Sequence, residues 1–354
     1  MKKKETIKNK NWIYVGEVKN GKPHGKGKRS WGDKITKYEG QFLNGKEHGY
    51  GKLKINNGEV DFYEGNFKKG CFHGKGTYYE NYNNKNSYEA KHVGIWKNGE
   101  PKEGVTLEKP LTSEGRNWVK YQGQWVSTIK TNWGLPMKHG KGKRIYKDGT
   151  KLDGTFYMDN FKKGEGTINF GNSKYVGQIK MIDGTTNYGP HGKGIDRFKS
   201  GTVFEGIFKN ARFYKATNWV LPSKDLTWIY KGDLTKSGDL EPLGKGILKT
   251  YTKIKKQNFY IYEKGNFKGF KLEGMGLRIY YNDKKLTRPF SIYKGDFKLG
   301  EANGTGLFWQ NACNWYHEGR FSKNNYIDDV NKTKKLSKKV LNLIKFAHNL
   351  EKKY

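Results

Sequence analysis

Five of the eight histidines in this 354-residue chain, His24, His48, His73, His139 and His191, stand in one repeated setting, His-Gly-x-Gly. Imidazoles at regular intervals could form a metal ladder. Fixed coordination, however, needs several converging ligands, and successive copies lack the varied partners it requires. The placement therefore predicts structural rings, packed or hydrogen-bonded between strands. Glu39, Glu64 and Glu205 also recur, each directly after an aromatic residue. General acid–base chemistry needs two carboxylates at one pocket, and nothing in the pattern puts them there. Solvation or pairing with a cross-strand Lys is expected instead. The fragments GKGK and HGKG resemble phosphate loops, but none is a GxxxxGK[ST] between a strand and a helix. GxSxG, HExxH, DxDxDG and the kinase signatures are absent from the sequence. The expectation is a protein with no catalytic, cofactor-binding or metal-ligating residue and no small-molecule substrate; it is not an enzyme.

The elements that carry these residues are copies of one cassette. In Tyr63-Glu-Gly65-Asn-Phe67 the Tyr, Gly and Phe alternate, so on a strand they share one face while Glu64 and Asn66 point the other way. A helix would lose roughly 1 kcal/mol at each Gly relative to Ala. After a Lys/Gly-rich break comes His73-Gly-Lys-Gly76. Breaks such as Asn20-Gly21, Asn44-Gly45, Asn57-Gly58 and Asp148-Gly149 tolerate positive φ and signal hairpin turns. First halves begin at Tyr14-Val-Gly16, Tyr38-Glu-Gly40-Gln-Phe42 and Tyr63, then at His92-Val-Gly94-Ile-Trp96, Tyr121-Gln-Gly123-Gln-Trp125 and Leu152-Asp-Gly154-Thr-Phe156. They continue at Tyr175-Val-Gly177-Gln-Ile179, Phe204-Glu-Gly206-Ile-Phe208, Tyr230-Lys-Gly232-Asp-Leu234 and Tyr262-Glu-Lys-Gly265-Asn-Phe267, the last with one extra residue. Tyr293-Lys-Gly295-Asp-Phe297 and Tyr316-His-Glu-Gly319-Arg-Phe321 close a series of about 12 units. The strand Gly leaves a gap between two aromatics into which a neighbouring ring can lie. One unit has too little to bury, whereas units stacked in series share a continuous aromatic core.

The pattern YxGxΦ…G…HGxG resembles the MORN repeat over roughly residues 12 to 321. That resemblance implies an all-β fold: antiparallel hairpins stacked into one elongated, twisted sheet. Two strands per unit would give a span on the order of 110 Å. Departures are localised. Lys163-Gly164-Glu-Gly166 lacks His, Glu103-Gly104 has no clear second half, and the unit at Phe204 has no HGxG. Leu243-Gly244-Lys-Gly246, Glu273-Gly274-Met-Gly276 and Asn303-Gly304-Thr-Gly306 keep only the glycines. Insertions are read at Glu108–Asn117 and Lys215–Asp225, with a bend over Thr217–Trp228. Some MORN proteins carry a catalytic domain after the array, but the segment here of about 30 residues is below domain size.

Composition narrows the partners. Net charge is +35, with 61 Lys against 8 Arg. Such a surface attracts acidic proteins, anionic lipid headgroups and nucleic acid by diffuse attraction, since Arg is the residue of bidentate readout. AT-rich coding is the competing source of the same Lys and Asn content. Only 34% of residues are hydrophobic, so the 53 aromatics must supply the core. Cys71 and Cys313 lie too far apart in a serial array to suggest a disulfide framework, which fits a reducing, cytosolic setting. Residues 1–11 read as a basic tail without an apolar signal, and 12–325 as the array. Asn331–Tyr354 reads as a basic amphipathic helix, with Leu336, Val340, Leu343, Ile344, Ala347 and Leu350 at helical spacing. Two roles are open for it: capping the last unit's edge and apolar face, or binding an anionic membrane surface through Lys332, Lys334, Lys335, Lys338, Lys339 and Lys345.

Three functions follow as expectations. The first is an interaction scaffold for protein partners, in the cytoplasm or at a membrane surface, the use that the MORN resemblance implies. Such proteins also occur in large DNA viruses of protists, which would place this one in host cytoplasm or virion. The second is a peripheral module binding anionic lipid such as phosphoinositide. The third is non-specific nucleic-acid binding, against which the core-facing aromatics count.

Overall fold

Alternating Tyr, Gly and Phe do produce strands. The computed structural model describes residues 4–56, 60–83, 89–108, 118–127, 134–185, 187–223, 226–235, 240–254, 257–312, 315–328 and 336–350. Asn57-Gly58, nearly all of the 108–117 insertion, Cys313, and Lys332, Lys334 and Lys335 lie outside them. Among the described residues, twenty-five antiparallel strands belong to one sheet, followed by one short helix. Apart from the first strand, the strands make twelve hairpins, and each begins at a cassette expected from the sequence. Two compact units divide the chain: Met1–Asn169 with Ile179–Gly189, and Phe170–Gln178 with Pro190–Tyr354.

In the first unit the strands are β1 (Lys4–Lys8), β2 (Trp12–Lys19), β3 (Lys22–Trp31), β4 (Lys37–Leu43), β5 (Lys46–Asn56), β6 (Val60–Lys68) and β7 (Cys71–Glu80). They continue with β8 (Ala90–Lys97), β9 (Glu100–Glu108), β10 (Trp118–Val126), β11 (Met137–Tyr146), β12 (Lys151–Tyr157) and β13 (Asn160–Asn169), each paired with the next. Lys4–Lys8 is thus not part of a free tail. It pairs along β2, where it satisfies backbone groups that an open edge would leave bare.

Register explains the glycines. Gly16 faces Gly27, Gly27 faces Gly40, and the row runs through Gly51, Gly65 and Gly76 as far as Gly164. Each cassette tyrosine bends over this row and donates its hydroxyl to the carbonyl three residues on: Tyr38 to Gln41 at 2.9 Å, Tyr63 to Asn66 at 3.2 Å, Tyr121 to Gln124 at 2.8 Å. A Cβ on Gly40 would lie 2.5 Å from the Tyr38 hydroxyl oxygen. Where His92 replaces the tyrosine, Trp125 from the next hairpin covers Gly94 and Gly104 instead. Successive units are joined edge-to-face: Tyr14 on Phe42 at 4.9 Å, Tyr38 on Phe67 at 4.9 Å, Tyr121 on Phe156 at 5.0 Å. Such pairs add about 0.5–1.5 kcal/mol beyond burial.

The second unit holds part of β14 (Ser173–Met181) and β15 (Tyr188–Phe198), then β16 (Val203–Lys209), β17 (Arg212–Pro222), β18 (Leu226–Leu234) and β19 (Pro242–Ile254). Beyond them come β20 (Gln257–Lys268), β21 (Lys271–Tyr281), β22 (Pro289–Lys298), β23 (Glu301–Gln310), β24 (Trp315–Ser322) and β25 (Asn325–Tyr326). From β15 onward each strand pairs with its successor. The stretch expected to bend at Thr217–Trp228 is instead a hairpin, with Trp219 opposite Tyr230 and Pro222 opposite Thr227. Its register shift between Ala216 and Trp219 absorbs the irregular sequence as a bulge. The turn before it, Asn210-Ala211, reaches φ of 48° and 63° without any glycine. That geometry costs an L-residue about 1–2 kcal/mol, which is why no turn was legible there.

The extra residue in Tyr262–Phe267 has a larger effect. Gly265 keeps its place opposite Gly246 and Gly276, so Glu263 takes the tyrosine position and Tyr262 is turned to the other face. There Tyr262 joins Ile279, Tyr281, Ile292, Leu307 and Trp309 in an apolar patch. The helix α1 (Lys338–His348) lies on that patch with Val340, Ala347 and Leu350 fully buried, and the Tyr281 hydroxyl donates to the Ala347 carbonyl at 3.0 Å. Ser337 caps its first turn by accepting from the Val340 N–H. Among the described residues the helix covers a sheet face across β20–β24.

Candidate interaction surface

In each unit the strands have a tyrosine face and an opposite face, and alternation decides what each shows. On the tyrosine face Tyr14, Tyr38, Tyr63, Tyr121, Tyr175, Tyr230 and Tyr293 are buried, as are Phe42, Phe67, Trp125, Phe208, Phe297 and Phe321. Gly16, Gly40, Gly65, Gly123, Gly177, Gly232 and Gly295 lie directly beneath rings of their own cassettes. Gly206 backs onto the Lys215 carbonyl and Phe213, and Gly319 onto Tyr326 and Asp328. Phe204 differs, being only half-buried.

The histidines do not converge. Each is half-buried; His73 and His191 accept from the backbone N–H of Asn98 and Asn210 in the turn of a following hairpin, both at 3.4 Å, and His139 packs against Tyr157. Among the described residues no group of His, Cys, Asp and Glu could hold a metal ion.

On the opposite face of the first unit, the residues next to the row glycines form a row: Val15, Lys28, Glu39, Lys52, Glu64, Thr77 and Val93 stand opposite one another in turn. The charges alternate and pair, Lys28 with Glu39 at 3.0 Å and Lys52 with Glu64 at 3.3 Å. Farther on, Lys143 meets Asp153 at 2.7 Å. Glu39 and Glu64 therefore have the cross-strand lysines the sequence offered them. Tyr50 also donates to Glu64, at 2.6 Å, and holding that proton pushes its pKa up to about 12. A second row, with Lys26, Gln41, Tyr50, Asn66 and Lys75, runs alongside, and the two rows enclose shallow grooves of about 610 and 470 Å³. Val15, Tyr50 and Val93 are 49%, 51% and 43% exposed.

Two buried polar features were not legible in the sequence. Arg29, Arg144 and Arg278 each follow a row glycine by two residues and turn onto the tyrosine face. Each guanidinium covers the phenylalanine of the next hairpin, Phe42, Phe156 or Phe297, at 4.9–5.1 Å. Each also donates to a turn carbonyl: Gly45 at 2.7 Å, Asp159 at 2.5 Å and Gly300 at 2.6 Å. Arg29 pairs with Glu47 and Arg278 with Glu263. Amid so much surface lysine, nothing in the sequence marks these three as core residues. The second feature is His92, whose Nε2 lies 2.7 Å from Glu80 and whose Nδ1 lies 3.0 Å from the Thr106 hydroxyl. Carboxylate, imidazole and hydroxyl form the order of a nucleophilic relay, but Thr106 is fully buried and no substrate can reach it. Burial alone would raise the Glu80 pKa; the His92 hydrogen bond and the nearby charges of His92 and Lys138 more than offset it and leave it below the usual value.

On the helix, Lys338, Lys339 and Lys345 are exposed, Lys339 pairing with Glu318 at 2.5 Å. The apolar stripe a membrane would need lies against the sheet. No helix among the described residues is long and apolar enough to cross a membrane.

Five segments, residues 14–36, 38–60, 63–83, 137–151 and 293–312, match the MORN repeat, and no other domain is found. No curated protein matches the chain. Hairpins between the matched segments, such as β12–β13, keep the same glycine register.

Proposed function

Because this chain is a MORN-repeat protein, and such repeats commonly serve protein and membrane interaction and are generally non-catalytic, we propose that it is a non-catalytic interaction scaffold. Its docking surface is the opposite face of the first unit, and its partner is a protein with an acidic, partly apolar surface. One observation carries this: among the described residues no element lies over the rows from Val15 to Val93, which present Lys26, Lys28, Lys52 and Lys75 beside exposed Val15, Tyr50 and Val93. Lysines around apolar anchors attract an acidic partner and then bury the anchors.

Photo-crosslinking in native cells tests the reading, with the reactive residue at Val93 and a control at Leu341 on the helix. A defined acidic polypeptide trapped from Val93 alone, and lost in Lys26→Glu/Lys75→Glu protein that keeps its circular dichroism, is the expected result. Equal trapping by the charge-reversed protein refutes it. Anionic lipid is the second reading, favoured by exposed Lys338 and Lys345. It predicts vesicle binding that depends on anionic lipid and falls with salt, without helix insertion. Nucleic acid, if bound, would show the same salt dependence and no sequence preference.

A further inference from the structure

Three arginines show what the position two residues after a row glycine accommodates: a planar cation over a phenylalanine ring, beside a turn carbonyl. In β15 that position is Asp196, two residues after Gly194 and opposite Phe204. The rest of the arrangement is preserved. Phe208 stands where Phe42 and Phe297 stand in their hairpins, opposite the positive-φ glycine of the preceding strand, Gly192, Gly25 or Gly274. The turn closes the same way, Ala211 N–H donating to Pro190 as Gly45 does to Pro23 and Gly300 to Leu272, all at 2.9 Å. The carboxylate here is Asp196 itself, at the arginine's position, whereas Glu47 and Glu263 reach Arg29 and Arg278 from other strands. The cation is missing.

The space is open. Asp196 and Ala211 line a cavity of about 1100 Å³ walled by Phe198, Phe204, Phe208 and Phe213. Asp196 is only 8% exposed, and its buried Oδ1 has no hydrogen-bond partner among the described residues; Ser173 serves the carboxyl group otherwise. A buried acceptor left unmet in an aromatic pocket is costly, and a ligand that supplies the donor removes that cost.

We propose that this cavity binds an alkylguanidinium, its plane over Phe208 and its N–H groups shared between the Asp196 carboxylate and the Ala211 carbonyl. Guanidinium fits better than ammonium because it is flat, stacks on a ring and presents a fork of donors to a carboxylate. Lys209 and Arg212 also line the cavity, but both are exposed and screened by solvent, so they weaken entry without filling the slot. The site does not depend on the scaffold reading and would stand if no protein docked elsewhere.

Calorimetric titration of the full chain with agmatine, against n-pentylamine and a blocked Gly-Arg-Gly peptide, tests it. Agmatine is expected to bind saturably and more tightly than the amine. Asp196→Asn should weaken it by about tenfold or more, the usual effect of losing a charged hydrogen-bond partner. Asp196→Arg supplies the cation from the chain itself and should abolish binding while raising the melting temperature. Peptide binding equal to that of agmatine identifies the source as an arginine side chain of a partner; agmatine binding alone identifies a free small molecule. No saturable heat with agmatine or peptide, or agmatine affinity unchanged in Asp196→Asn, overturns the proposal, and the asparagine variant decides even if the arginine variant fails to fold.

Discussion

Replacing Gly65 by alanine tests the feature on which the rest of the sheet depends. A Cβ there would lie 2.5 Å from the Gly76 Cα, 2.6 Å from the Tyr63 hydroxyl oxygen and 2.8 Å from the Lys75 carbonyl oxygen. Carbon atoms in comfortable contact are about 3.5–4.0 Å apart, so the obstructing atoms must retreat by about 1 Å. Two of the three are backbone atoms of β7, held by the ladder to β6. Tyr63 could swing away only by giving up its hydrogen bond to Asn66 and its edge-on contact with Trp96. Overpacking typically costs about 1–3 kcal/mol, and backbone obstruction puts this case at the upper end. The alanine gains back about 0.4–1 kcal/mol by restricting the unfolded chain. A net loss of roughly 2 kcal/mol is expected, which a urea transition followed by near-ultraviolet circular dichroism resolves as a lowered midpoint. Gly32→Ala is the control, because its Cβ meets only the Asn11 carbonyl, at 3.7 Å, and should change stability by no more than about 0.5 kcal/mol. Equal midpoints for the two variants would refute the claim that the glycine row exists to admit the tyrosine rings.

Further outcomes follow from the same contacts. Arg278→Ala leaves Glu263 buried without its partner and should cost about 3–5 kcal/mol, whereas Arg278→Met/Glu263→Met, which removes both charges, should cost much less in the same denaturation assay. Glu80 has a folded-state pKa below its usual value, so its contribution is complete above the ordinary carboxylate range and fades as pH falls through the lowered value. Glu80→Gln should therefore flatten the acid limb of a stability-against-pH curve while lowering stability at neutral pH. Val340→Asp puts a charge into the apolar cluster that holds Ile279 and Trp309 and should release α1, seen as increased binding of a hydrophobic dye with the β-sheet circular dichroism unchanged.

How far the sequence could be read depended on whether a residue's role was local. The hairpins were legible because Tyr63, Gly65 and Phe67 reveal their shared face within five residues, and Asn20-Gly21 reveals its turn within two. Arg29, Arg144 and Arg278 were not legible. Their burial comes from a phenylalanine and a carbonyl on the next hairpin, and a basic residue after Gly-Lys looks like more of the surface charge. Asp196 was missed for the same reason, since its meaning appears only when its register is compared with that of the three arginines. The relay of Glu80, His92 and Thr106 joins three strands, and no spacing within one cassette discloses it.

Tyr262 shows how one residue changes a face. With strand side chains alternating, one added position between tyrosine and glycine must put the ring on the far side or displace the glycine from its row. The glycine row holds, because Gly265 is fixed between Gly246 and Gly276, so the ring moves. Once Tyr262 is there, the far face around it carries an apolar cluster of Ile279, Ile292, Leu307 and Trp309, whereas the far face of the first unit carries paired Lys and Glu. Such a patch left bare would aggregate, and α1 covers it. The two units thus use their far faces differently: one carries paired charges and exposed apolar residues, and the other carries an apolar cluster covered by its own helix. That difference supports proposing the docking surface on the first unit, since part of the corresponding face of the second, across β20–β24, is covered by α1.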